Sequence, residues 1–94
     1  MPDLIIRQQV EDYGSWKALF DQDTATRRAC GSQGSRIFRN TAIPNEIIIL
    51  FTWDDLDRAR LYFQADDLQI EMAGATLFGS PLFWFLEEAD IASG

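Results

Sequence analysis

Residues 46–53 of this 94-residue chain read EIIILFTW, and the architecture follows from that stretch. Its β-branched and aromatic side chains favour a β-strand, in which successive side chains point to opposite faces of a sheet. The two faces are Ile47, Ile49, Phe51 and Trp53 on one side, and Ile48, Leu50 and Thr52 on the other. Both faces are apolar apart from one threonine, so each needs a layer that covers it.

Three further strands are predicted by similar patterns. Residues 4–10 read LIIRQQV, and residues 35–41 read SRIFRNT. The second of these is joined to residues 46–53 by a turn at 42–45 that contains proline and asparagine. The last strand is predicted over residues 82–88, and we place its Phe83 on the sheet face that points away from the helices.

Two main helical segments are predicted between these strands. Asp12 is a suitable N-cap, because its carboxylate can accept from the amides of the first helical turn. An apolar stripe then runs at helical spacing to a C-cap at Gly31, with residues 31–35 as a loop. The stripe consists of Tyr13, Trp16, Leu19 and Phe20, and continues weakly through Thr24 and Arg27.

The second helical segment follows residues 46–53. Asp54 or Asp55 is its predicted N-cap, and a shorter helical segment is predicted from Asp66 to Gly74. The acidic cluster Asp54, Asp55 and Asp57 suits helix capping better than a metal site, so no metal is expected.

The resulting order β-α-β-β-α-β predicts an α+β fold, a ferredoxin-like sandwich with a four-stranded antiparallel sheet and helices on one face. We expect residues 1–94 to form a single domain. Two helices cover only one apolar face, and soluble monomers rarely expose an apolar patch of more than a few hundred Å². The sequence therefore predicts a homodimer that buries the second sheet face.

Composition excludes several classes of function. The chain has no histidine and a single cysteine, Cys30, which excludes a histidine-ligated haem, a zinc–histidine centre and a Ser-His-Asp triad. Its net charge of −7 disfavours nucleic acid. No apolar stretch approaches the roughly 20 residues of a membrane-spanning helix. With no secretory signal visible and no internal disulfide possible, we expect a cytoplasmic protein that does not engage membranes.

Four segments carry a resemblance to a known family. They are VEDYGSWKALFD (10–21), RIFRN (36–40), PNEIIILFTWDDLDRAR (44–60) and FLEEAD (85–90). These segments resemble the dimeric α/β-barrel superfamily, and are most similar to the antibiotic-biosynthesis-monooxygenase-like proteins and the subgroup labelled as cyclases. The resemblance implies a homodimer of face-to-face sheets with a ligand cavity between sheet and helices. It also implies oxygenation or cyclisation of aromatic or polyketide-like substrates.

The site expected from this reading is aromatic, with a few polar groups. Each aromatic side chain also fits ordinary core packing, and Arg7 also fits a strand end near solvent or an ion pair across the dimer. Arg39 also fits an exposed position, and no catalytic residue is assigned. The substrate-binding candidates are Arg7, Gln9, Trp16, Phe20, Arg39, Phe51, Trp53, Tyr62 and Trp84.

Two functions of different classes remain open at this point. The first is a cofactor-independent oxygenase or related small-molecule-binding protein, with no metal or organic cofactor. The second is a non-catalytic dimeric ligand-binding or structural module, which predicts a well-filled interior with Trp16, Phe51 and Trp84 close together. A stress-related relative of the same fold is a third, weaker reading.

Overall fold

The computed structural model describes residues 2–64 and 77–94. The predicted helical segment from Asp66 to Gly74 lies outside these residues. The described elements, in chain order, are β1 (Asp3–Val10), α1 (Tyr13–Gln22), α2 (Thr24–Ala29), β2 (Ser32–Arg39), β3 (Glu46–Trp53), α3 (Leu56–Gln64) and β4 (Leu77–Leu86).

The four strands form one antiparallel sheet in the order β2-β3-β1-β4. β1 lies in the centre, with Ile6 opposite Ile49 of β3 on one side and opposite Phe83 of β4 on the other. This strand order is that of a ferredoxin-like sandwich, so the predicted α+β fold is confirmed.

The helices pack on one face of the sheet, which we call the helix side. The side chains of β1 and β3 on this face are almost completely buried, and each such burial contributes about 1.5–3 kcal/mol. They are Leu4, Ile6, Val10, Ile47, Ile49, Phe51 and Trp53.

The opposite face of the sheet, the outer face, carries a large apolar patch beside polar residues such as Arg7 and Gln9. Register and alternation assign to it Ile5, Phe38, Ile48, Leu50, Leu82, Trp84 and Leu86. Four of these are large exposed side chains: Phe38 at 43%, Leu82 at 47%, Trp84 at 44% and Leu86 at 36%. The prediction that β3 and β4 carry apolar side chains on both faces is therefore confirmed, and the helices cover only one face.

The predicted face of Phe83 is wrong. Phe83 lies on the helix side, where its ring centre is 5.4 Å from that of Phe63 in α3. Its neighbours Leu82 and Trp84 occupy the outer face instead. Both faces of β4 are apolar, so alternation alone could not orient this strand.

The first helical segment is broken, where the sequence predicted one helix. α1 ends at Gln22, and α2 begins at Thr24 after Asp23 leaves the helical conformation. The hydroxyl of Thr24 donates to the carbonyl oxygen of Asp21 (2.9 Å), a side-chain bond that competes with the regular helical pattern.

Two strand boundaries also differ from the prediction. β2 begins at Ser32, and Gly34, with φ of 131°, lies at an irregularity in its pairing with β3. The glycines that suggested a loop instead allow the strand to start with a bulge. β4 spans Leu77–Leu86, earlier than predicted. Among the described residues, no helix is both long and apolar enough to cross a membrane.

Candidate functional site

Six aromatic side chains form a continuous cluster on the helix side, which we call the aromatic cluster. Its members are Trp16 and Phe20 of α1, Phe51 and Trp53 of β3, and Tyr62 and Phe63 of α3. Successive ring centres lie 4.9 to 6.0 Å apart. Residues four apart in a helix or two apart in a strand share a face, so local structure brings these rings together.

Trp53 ties the aromatic cluster to the end of α2. Its side chain is fully buried, and its indole N–H donates to the carbonyl oxygen of Cys30 at 3.0 Å. Gly31 makes this approach possible, because a Cβ there would lie 2.8 Å from Nε1 of Trp53 and its φ of 118° disfavours other residues. The end of α2 is therefore held against β3.

Arg27 brings a positive charge into this layer. The residue is only 7% exposed, and its guanidinium carbon lies 3.7 Å from the centre of the Phe20 ring. Nη1 donates to the carbonyl oxygen of Phe20 (2.7 Å), and Nη2 donates to the hydroxyl of Thr24 (3.2 Å). Desolvation by burial lowers the pKa of Arg27, and the proximity of Tyr62 and Asp23 partly opposes this.

Arg27 was not among the predicted site residues. Arg27 follows Phe20 by seven residues and so continues the apolar stripe of the first helix. This position was the one sequence signal that Arg27 faces the sheet. Charged residues seldom occupy such a stripe fully buried, and the break at Asp23 was not predicted.

Tyr62 lies beside the same charge. It is half-buried in α3, and its ring packs edge-on against Trp53 at 5.5 Å. Desolvation raises the pKa of Tyr62, and the positive charge of Arg27 opposes that effect only in part. The phenol therefore stays protonated at neutral pH and is available as a hydrogen-bond donor.

Gln8 introduces an amide into the helix-side face of β1. It is 6% exposed, and it pairs with Ile47 of β3. Among the residues described, its Oε1 atom has no hydrogen-bond partner. An unsatisfied buried acceptor is uncommon and costs about 1–3 kcal/mol.

Three of the predicted site residues lie on the outer face, apart from the aromatic cluster. Nε of Arg7 lies 2.8 Å from Oε1 of Glu46 in the same chain, so an intramolecular ion pair holds this guanidinium. Gln9 is exposed, and Trp84 is 44% exposed. The structure therefore brings Trp16, Phe20, Phe51, Trp53 and Tyr62 together, and places Arg7, Gln9 and Trp84 elsewhere.

Arg39 lies at the margin of the helix side. Its guanidinium carbon is 4.6 Å from the centre of the Tyr13 ring, and its Nε donates to the carbonyl oxygen of Pro44 at 2.9 Å. The residue is exposed, so it borders the helix layer instead of lining the aromatic cluster.

The acidic cluster after β3 has structural partners. Oδ1 of Asp55 accepts from the backbone amides of Asp57 (2.7 Å) and Arg58 (3.2 Å), which makes Asp55 the cap of α3. Asp54 pairs with Arg58, and Asp57 pairs with Arg60. The predicted capping role is confirmed for Asp55, and ion pairs, which were not predicted, hold Asp54 and Asp57.

No protein-family model matches the chain, and no curated protein matches it in sequence. Solved structures match it over almost its whole length. A protein from Bordetella bronchiseptica classed with the antibiotic biosynthesis monooxygenases superposes with a TM-score of 0.76 at 18% identity, covering 94% of this chain and 96% of the other. A similarly classed protein from Caulobacter crescentus gives 0.72 at 16% identity, covering 95% and 90%.

A third similar structure is that of an oxygenase. SnoaB from Streptomyces nogalater, a cofactor-independent oxygenase, superposes with a TM-score of 0.68 at 13% identity, covering 94% of each chain. The chain therefore has the fold of the antibiotic biosynthesis monooxygenase-like proteins, as its resemblance in sequence predicted.

Proposed function

We propose that this chain binds a small aromatic or polyketide-like molecule at the aromatic cluster and oxygenates an electron-rich phenol without a metal or organic cofactor. The cluster itself carries this proposal: its rings are contributed by two helices and a strand, and a phenolic hydroxyl lies at one end. SnoaB, which shares the fold, supports the reaction class.

The reaction needs only the substrate and dioxygen. A phenolate transfers one electron to dioxygen, and the resulting radical pair combines at the ring carbon para to the oxygen. Loss of water from the hydroperoxide then leaves a quinone. One oxygen atom of dioxygen ends in the quinone and the other in water, and the phenolic and ring hydrogens leave in that water.

The chain would contribute an environment for this reaction. The apolar rings would exclude water from the substrate, which strengthens each electrostatic interaction there. The protonated hydroxyl of Tyr62 would donate a hydrogen bond to the substrate oxyanion, in the manner of an oxyanion hole. We place this activity in the cytoplasm, where a lone thiol such as Cys30 stays reduced.

We also propose that the functional unit is a homodimer joined through the outer face. The exposed Phe38, Leu82, Trp84 and Leu86 support this, because they form an apolar surface that water solvates poorly. A second copy of the same face would bury it in a closed two-fold arrangement.

A non-catalytic dimeric module is the second candidate. Trp16 at 4% and Phe51 at 1% exposed are already well packed, which favours an interior filled by the protein itself. Trp84, which this reading grouped with them, lies on the outer face instead.

Oxygen labelling distinguishes the two candidates. The full chain is incubated with 1-naphthol and isotopically labelled dioxygen in chelator-treated buffer, and the product is analysed by mass spectrometry. An oxygenase gives 1,4-naphthoquinone with one labelled atom, formed faster than in protein-free buffer. Tyr62→Phe should slow formation, whereas Leu61→Ala, an exposed neighbour in α3, should not. If no member of a panel of phenols and hydroquinones is bound or turned over, the non-catalytic module is the candidate that remains.

A further inference from the structure

Among the described residues, Arg27 is a buried cation with no carboxylate within ion-pair distance, although the charges of Asp23 and Asp21 act on it from farther away. In the part of the chain that the structure describes, the ion pairs involve Arg7, Lys17, Arg58 and Arg60, and none involves Arg27. Burying an ion costs several kcal/mol unless an opposite charge compensates it. A counter-charge from outside the chain would supply that compensation.

The known contacts of Arg27 leave part of its donor capacity for such a partner. A guanidinium has five N–H groups. The described contacts are hydrogen bonds to the carbonyl oxygen of Phe20 and the hydroxyl of Thr24 and the face of the Phe20 ring, with the Tyr62 hydroxyl close beside the guanidinium. Neither bond supplies a negative charge.

The surroundings of Arg27 indicate what kind of anion would fit. The Phe20 ring that stacks on the guanidinium also stacks on Trp16 at 4.9 Å and contacts Phe51 at 6.0 Å. Tyr62 lies close enough for the charge of Arg27 to affect its hydroxyl. Two hydrogen-bonding side chains, one of them charged, therefore border the buried aromatic cluster.

We propose that Arg27, with Tyr62, binds the negatively charged oxygen of an aromatic ligand, either a phenolate or an aryl carboxylate, while the aromatic cluster contacts the ligand ring. This inference rests on the proposed binding of an aromatic molecule, and it adds that the bound molecule is an anion. For the proposed oxygenase, binding the anion would also favour the phenolate form that reduces dioxygen.

A pair of nearly isosteric ligands tests this proposal. Binding of 1-naphthoate and of neutral 1-naphthamide to the full chain is measured by calorimetry at neutral pH. We expect naphthoate to bind at least about tenfold more tightly, since a hydrogen-bonded charge contributes roughly 1.5–3 kcal/mol. Arg27→Met should abolish this preference by weakening naphthoate binding much more than naphthamide binding. Arg28→Met, which removes an exposed arginine from the same helix, should retain it.

Binding of a phenolate is tested by the pH dependence of the affinity for 1-naphthol. If 1-naphthol binds as the anion, its affinity for wild type should rise as pH approaches its own pKa, and Arg27→Met should remove the rise. Arg27→Lys should keep a reduced preference for naphthoate, and provides a second variant if Arg27→Met does not fold.

Several results would overturn the proposal. Equal binding of naphthoate and naphthamide by wild type would do so without any variant, and would leave aromatic binding itself intact. If Arg28→Met lost the preference for naphthoate to the same extent, the preference would come from the surface charge of α2. Failure of both ligands to bind would remove the aromatic site as well, together with the function proposed above.

Discussion

The guanidinium of Arg27 both stacks on the ring of Phe20, at 3.7 Å, and donates to the carbonyl oxygen of the same residue, at 2.7 Å. The carbonyl oxygen of Phe20 lies in the last turn of α1 and already accepts from the backbone N–H of Asp23 (3.3 Å), so Arg27 is its second donor. The charge is thereby held among aromatic rings by a residue seven positions earlier in the chain. Among the described residues, Arg27 is the one buried arginine.

The two faces of β4 predict opposite outcomes for neighbouring substitutions. Trp84→Asp places a charge on the outer face, so we expect a folded protein that has lost its dimer. Phe83→Asp buries an unpaired carboxylate against Phe63, so we expect loss of the fold. Sedimentation and circular dichroism measure the two outcomes. A dimeric Trp84→Asp protein would contradict the proposed interface, and a stable Phe83→Asp protein would contradict the orientation of β4.

Phe51 should be a costly member of the aromatic cluster to truncate. It is 1% exposed and contacts Phe20, Trp53 and Phe63. We expect Phe51→Ala to lower the free energy of unfolding by about 3–5 kcal/mol, as for other buried aromatics. Denaturant titration measures the change, with Leu61→Ala at a 69% exposed site as control. A loss no larger than that of the control would mean that the cluster is not the core.

The sequence allowed much of this fold to be predicted, because its main signals are local. The run of apolar residues over Glu46–Trp53 predicted the bounds of β3, and Asp12 was correctly predicted as the N-cap of α1. Periodicity within one strand or helix depends only on neighbouring residues. The topology then followed from the order of the elements.

The site was harder to predict than the fold, because it depends on which faces meet. Trp84 and Phe51 are both strand aromatics, yet only Phe51 faces the helices. Nothing in the sequence separates the two faces of a strand that is apolar on both. Arg27 was missed because its burial depends on the break at Asp23 and on contacts with Phe20.

Gln8 should be replaceable by a residue of similar size without loss of stability. Its Oε1 has no partner within the described residues, so removing the amide removes an unsatisfied buried group. We expect Gln8→Met to raise the free energy of unfolding by about 1 kcal/mol. Gln9→Met, on the exposed face of the same strand, should change it little. Marked destabilisation by Gln8→Met alone would show that the amide has a structural partner.

Asp12 should make α1 sensitive to acid. The backbone amide of Ser15 donates to its Oδ2 at 2.8 Å, and this hydrogen bond lowers the pKa of Asp12 in the folded chain. A carboxylate with a lowered pKa stabilises the fold above its unfolded pKa of roughly 4, and that stability is lost as pH falls through its folded pKa.

Unfolding titrations across the acid range measure this effect of Asp12. We expect Asp12→Asn to be less dependent on pH there than wild type, because the variant has no carboxylate to protonate. Asp90→Asn, in the exposed C-terminal segment, should behave as wild type does. Identical pH profiles for wild type and Asp12→Asn would contradict the capping role of this carboxylate.

A crystal structure of the full chain with bound 1-naphthoate tests the proposed site most directly. We expect the carboxylate within hydrogen-bonding distance of the Arg27 guanidinium, and the naphthalene ring against Phe20 and Trp16. Naphthoate bound on the outer face beside Trp84, or found away from Arg27, would contradict it.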